Sequence, residues 1–131
     1  MNPRLERFAL QAIIAAAAVV PVTAGMLGVI STETFLSLFG ASDAMTHVSY
    51  LSGLLLAIGL CFWSCVPGIE RNGARFGLLT LLVVTGGLAR AIAMLRPGAS
   101  APMVWAALGL ELAATPALFL WQRRIAALFA C

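Results

Sequence analysis

The chain has no lysine, a single histidine, a single tyrosine and three cysteines, and only 10% of its residues are charged. Soluble domains carry roughly a quarter charged residues, so a water-facing surface cannot be built from this composition. One histidine, His47, has no second imidazole with which to hold a metal. Cys61 and Cys65 lie i and i+4 on one apolar stretch, where disulfide geometry is poor, and Cys131 is terminal. The expected role of all three cysteines is small apolar packing. There is no nucleophile paired with a base, no metal cluster and no nucleotide-binding loop. No catalytic residue, metal ligand or cofactor is therefore assigned, and a binding or accessory role is favoured over an enzyme.

What the sequence has in excess is hydrophobicity, at 62% of residues. The charges gather around long apolar runs, which marks them as boundaries between membrane spans. About 20 residues are needed per crossing, so 131 residues hold four spans and short links. The expected fold is all-α, an integral-membrane four-helix bundle. Its spans fall at about 8–30, 48–66, 75–95 and 103–122, and residues 1–131 make one domain. The basic start MNPRLERF imitates a secretory signal, but the apolar run from Phe8 to Ile30 is too long for one and reads as a retained first span.

The links IERNGAR and RPGASAP are short, so spans two and three, and three and four, are antiparallel neighbours. The first link, STETFLSLFGASDAMTH, is longer and mixes Phe35, Leu36, Leu38 and Phe39 with Glu33 and Asp43. That pattern predicts a short amphipathic helix in the membrane interface. Arg4, Arg7, Arg71, Arg75, Arg123 and Arg124 fall on one side and Arg96 flanks the other. This arrangement is topology signalling and not a nucleic-acid patch. By the positive-inside rule it puts both termini in the cytoplasm and the first loop outside, as in an inner-membrane protein. Trp63, Trp121 and Trp105 sit near span ends, as aromatic belts do. Ala24 with Gly28, Gly53 with Ala57, and Gly87 with Ala91 are candidate helix-packing pairs, and Pro21 and Pro116 are candidate bends.

Two ionisable residues fall inside spans, Arg90 in TGGLARAIAML and Glu111 in GLELAATP. A lone charge at a helix centre costs roughly 2.5–3.5 kcal/mol on insertion scales, so each needs a partner. At 1.5 Å per residue Arg90 lies about 7 Å and Glu111 about 12 Å below the outer boundary. Helix side chains lean toward their own N-terminus, which closes that offset and predicts a salt bridge. Gly86 and Gly87 leave room one turn before Arg90. Tyr50 and His47 begin span two at the same depth. Arg90, Glu111, Tyr50, His47, Gly86 and Gly87 are therefore the candidate ligand-binding residues of one outward-facing polar cluster. The competing expectation is that Arg90 and Glu111 only tie two helices together, with His47 an interfacial residue.

The order of features, a long outward loop, YLSGLLLAIGL, a basic turn, TGGLARAIAML and GLELAATP, resembles a family of small bacterial four-span membrane proteins of unknown function. The resemblance covers about 8–124 and carries Tyr50, Gly53, Gly59, Gly87, Arg90 and Glu111 as matching positions. More distantly, the four-span plan is similar to DoxX-like proteins, some associated with quinone-linked or thiol-linked oxidoreductase systems. The outward cysteine pair that thiol chemistry needs is absent. The resemblance brings no established activity.

Two functions from different classes follow. In the first, the bundle binds a lipid-like or quinone-like amphiphile, or a partner helix in another subunit or a second copy, at the polar cluster. In the second, it is an oxidoreductase-associated subunit exchanging protons at Glu111 with a quinone-like substrate.

Overall fold

Proline is harmless in the first turn of a helix, where the missing N–H would have had no acceptor. Two of the long helices use it. In this computed structural model, which describes residues 3–30, 42–95 and 102–130, helix α1 spans Pro3–Ile30 and α2 spans Ser42–Cys65. Helix α3 spans Gly73–Met94 and α4 spans Pro102–Phe129. Within α4, the α-helical stretches Pro102–Gly109 and Thr115–Phe129 flank a π-helical segment, Leu110–Ala114. No strand occurs among the described residues. The first loop with its expected interfacial helix at 35–39, and the Arg96 link, lie outside the described residues.

All four helices contain apolar windows long enough to cross a bilayer: Pro3–Ile30, His47–Cys65, Gly73–Met94 and Pro102–Phe129. No more than 28% of any window is buried within the protein, and Leu81, Ile92 and Leu120 are all more than half exposed. Such a surface is stable only in a hydrocarbon solvent, and the chain is a multi-pass membrane protein of all-α, four-helix architecture. The helices overrun the expected spans: α1 starts at Pro3 rather than Phe8, α2 at Ser42 rather than Val48, and α4 continues past Gln122 to Phe129. Hydropathy marks only the lipid-immersed part of a helix, and good helix formers such as those of RLER and RRIAALF carry it into the interface.

The chain divides into two compact units, residues 11–67 and residues 1–10 with 68–131. In the first, α1 and α2 run antiparallel and touch along a seam of glycines. A Cβ on Gly25 would lie 2.5 Å from the Leu56 backbone nitrogen, one on Gly28 would strike the Ser52 hydroxyl, and one on Gly59 would lie 2.6 Å from a Val22 methyl. Two side chains then cross to backbone carbonyls, with Trp63 Nε1 donating to Ala15 O (2.9 Å) and Gln11 Nε2 to Val66 O (2.8 Å). Of the glycines expected to pack here, Gly28 does so. Gly53 meets nothing within 4 Å, and Ala24 is exposed while its neighbour Gly25 is buried.

In the second unit α3 and α4 run antiparallel. Phe76 stacks on Phe119 with ring centroids 6.4 Å apart, and Gly77 makes room for the Phe119 ring. The turn entering α3 needs Gly68, whose φ of 72° lies in the left-handed region that a side chain disfavours. Its carbonyl accepts from Arg71 N and from Asn72 Nδ2, and the buried Gln122 donates to Ile69 O at 2.9 Å. Val66 O, Gly68 O and Ile69 O, which no helical ladder satisfies, are thereby all paired.

The seam makes a contrast between two glycines of the same unit. Gly25→Leu should destabilise the detergent-solubilised protein by about 1–3 kcal/mol through overpacking. Gly53→Leu, with open space around it, should stay within about 0.5 kcal/mol. Equal melting temperatures for the two variants would dismiss the seam.

Candidate functional site

Arg90 lies in the last two turns of α3, and the antiparallel α4 brings Glu111 alongside it. The Arg90 guanidinium donates twice, Nε to Glu111 Oε2 and Nη2 to Glu111 Oε1, each at 2.9 Å. This is the bidentate fork that suits guanidinium and carboxylate. The approach depends on Gly87, which is buried: a Cβ there would lie 2.8 Å from Leu112 Cδ2 and 2.9 Å from Glu111 Cβ. No side chain fits between the helices at that level. Gly86, one residue earlier, is exposed and has nothing within 4 Å of its Cβ position, so an open space lies one turn from Arg90 on its own helix.

Glu111 belongs to the π-helical segment. Thr115 explains its local geometry, since its backbone N–H and its hydroxyl both reach back to Leu110 O, five residues away, the hydroxyl at 2.8 Å. Pro116 follows with no N–H to give, so the α-helical ladder is already broken at the next rung. A wide turn is thereby held at the level of the ion pair. Pro116 was the available sequence signal, but a bend and a π turn are equally consistent with proline, and only the Thr115 bonds decide between them.

The side chain of Glu111 is 20% exposed and that of Arg90 42%. Both carboxylate oxygens are taken by Arg90. Among the described residues the guanidinium has no second acceptor, and its Nη1 donors are left without a bond. The pair is neutral as a whole and its guanidinium keeps unused donors, so it can hold a hydrogen-bond acceptor.

The structure thus brings Arg90, Glu111, Gly87 and Gly86 together in one unit. His47 and Tyr50 lie on α2, in the other unit, and both are exposed. His47 opens the membrane-crossing window of that helix, with Tyr50 one turn further in, as interfacial residues do.

A second polar cluster, which the sequence pattern does not mark, lies at the other end of the unit. At the Arg-rich end Glu6, only 3% exposed at its side chain, pairs with Arg124 at 3.2 Å, and Glu70 pairs with Arg7 at 3.3 Å. Arg7 also stands over the Phe129 ring, 5.6 Å from its centroid. The second oxygens of Glu6 and Glu70 and the Oε1 of Gln122 are buried without a partner among the described residues. The available signal was a glutamate inside each of the Arg runs RLER and IER.

The model of a family described as a domain of unknown function, DUF4345, matches residues 9–122. No match was found among curated proteins or among solved structures.

The ion pair is tested by a double-mutant cycle. Arg90→Ala and Glu111→Ala should each cost on the order of 1–3 kcal/mol of stability in detergent, because removing one partner leaves the other unpaired in an apolar setting. The double variant should recover part of that loss. Strict additivity of the two would show that the groups do not interact.

Proposed function

Because the chain belongs to the DUF4345 family, whose function is unknown, its activity has to be argued from its own residues. We propose that it is a small accessory protein of the cell inner membrane that holds the polar head of a lipid-like or quinone-like amphiphile at the Arg90–Glu111 pair. The observation that carries this reading is the exposed guanidinium of an already neutralised pair, beside the open space over Gly86. A structural tie needs only the two bonds to Glu111, whereas this one leaves further donors without an acceptor on a partly exposed side chain, and in lipid an unpaired donor is costly. A carbonyl or phosphoryl oxygen on an apolar body satisfies them, and apolar helix surface on either side accommodates the body.

The alternative, a DoxX-like oxidoreductase subunit exchanging protons at Glu111, is less well supported. A general acid or base must be free to turn toward its substrate, and both Glu111 oxygens are engaged by the bidentate fork of Arg90. A partner helix offering an acceptor at the same depth is the competing occupant. The proposed orientation keeps both termini in the cytoplasm, on the strength of the Arg count, and opens the pair toward the outer leaflet.

Two experiments check this reading. A reporter fused after Cys131 should be active in the cytoplasm and one inserted near Ala41 active only outside; the reverse pattern would turn the site inward. For binding, Gly86→Leu is the informative variant, since it fills the open space without meeting packed neighbours, whereas Gly87→Leu would collide with Glu111 and Leu112. Mass spectrometry of lipid and quinone extracted from purified protein should show the copurified amphiphile falling about tenfold in Gly86→Leu, equivalent to about 1.4 kcal/mol. Its melting temperature should be unchanged. If the wild type retains no specific amphiphile, the pair is a structural tie.

A further inference from the structure

A cleft of about 240 Å³ lies at the Arg-rich end of α3 and α4, lined by Gly73, Phe119, Gln122, Arg123 and Ala126. Four observations there concern ligands. The Gln122 side chain is fully buried, and while its Nε2 donates to Ile69 O, its Oε1 is an acceptor with no donor among the described residues. A Cβ on Gly73 would have carboxamide atoms of Gln122 as its three nearest neighbours, Nε2 at 3.3 Å and Oε1 at 3.5 Å, so the absent side chain leaves the carboxamide bordering the cleft. Arg123 is exposed and makes no ion pair among the described residues, unlike its neighbour Arg124, which holds Glu6. Gly73 is also the first residue of the 22-residue helix α3. The Asn72 side chain, which bonds Gly68 O, places no cap over its first turn, and no acidic residue occupies that turn.

We infer that this cleft is a binding site for the head group of an anionic phospholipid that carries a hydroxyl, the phosphatidylglycerol type. The phosphate diester sits between Arg123 and the N-terminal N–H groups of α3, where guanidinium and helix dipole both favour an anion. The head-group hydroxyl donates to Gln122 Oε1. Phe119 and Ala126 supply an apolar wall for the glycerol and first acyl carbons. An ethanolamine head also has a donor, but it brings an ammonium beside Arg123, the one cation that lines the cleft, whereas a neutral hydroxyl adds no such repulsion. The site is separate from the Arg90–Glu111 pair and does not depend on it.

The full-length protein in detergent micelles doped with one phospholipid at a time, read by native mass spectrometry, tests the assignment. Phosphatidylglycerol should be retained in preference to phosphatidylethanolamine. Arg123→Gln should lower its retention about tenfold, the loss of one charge-assisted contact. Arg71→Gln removes the same charge from a side chain that is 87% exposed and does not line the cleft, so it should leave retention unchanged. Gly73→Ala adds a methyl group within contact of the Gln122 carboxamide and should lower retention without removing any charge. Equal losses in Arg71→Gln and Arg123→Gln would reduce the effect to general basicity and overturn the site. Equal retention of the two lipids would do the same. Displacement of the lipid by an equimolar amount of free glycerol 3-phosphate would also overturn it, because the ligand would then be a soluble phosphate ester.

Discussion

Close approach of helix backbones is the constraint from which the rest of this protein follows. Lipid is as apolar as leucine, so burying leucine against leucine in a membrane gains little, and helices are held by packing contacts and polar links instead. Gly25, Gly28 and Gly59 let α1 and α2 meet with side chain against backbone, and Gly87 does the same for α3 and α4. Once the helices are that close, polar side chains can span the gap. Trp63 reaches Ala15 O, Gln11 reaches Val66 O, Gln122 reaches Ile69 O and Arg90 reaches Glu111. Each of these bonds gives a polar side chain a partner inside the packed structure, where an unmade hydrogen bond is expensive.

The same constraint accounts for what the sequence reveals. The four spans are legible because hydropathy is a property of the residues alone. The Arg90–Glu111 contact is legible because the short link fixes the pairing of the two helices and the rise per residue fixes their depth. The seam of the first unit is read less well. Spacing alone makes Gly53 and Ala57 as good a small-residue pair as any, but which face of a helix meets a neighbour is set by that neighbour, and α1 meets α2 at Gly59 instead. The π-helical turn at Glu111 is hidden for a related reason, since it depends on the Thr115 hydroxyl choosing the carbonyl of Leu110, a local competition that periodicity does not register. Glu6 and Glu70 are hidden by their neighbours, because an acid among arginines near a span end looks like part of a topology signal. Burial of the Glu6 carboxylate against Arg124 becomes visible only when residues 118 apart in the chain are brought together.

The two polar sites of the α3–α4 unit differ in character. At Arg90–Glu111 the charges cancel and donors are left over. At the opposite ends of the same two helices, Arg123 is uncompensated and a buried acceptor is left over. One pair of helices therefore offers two leaflets two different chemistries, with Phe76 stacked on Phe119 between them.

The ion pair also has a consequence for how the chain enters the membrane in the first place. Helix α3 emerges from the ribosome before α4, and its arginine has to wait 21 residues for the glutamate that neutralises it. Taken singly, each helix carries a charge whose transfer into lipid costs roughly 2.5–3.5 kcal/mol on insertion scales, and that charge weighs against an apolar window of only moderate hydropathy, 1.8 for α3 and 1.7 for α4. Taken together, the charges of Arg90 and Glu111 cancel. Partition of the two helices is thereby thermodynamically linked, and the unit that the translocation machinery releases into the bilayer most readily is the helical hairpin, with its salt bridge already closed.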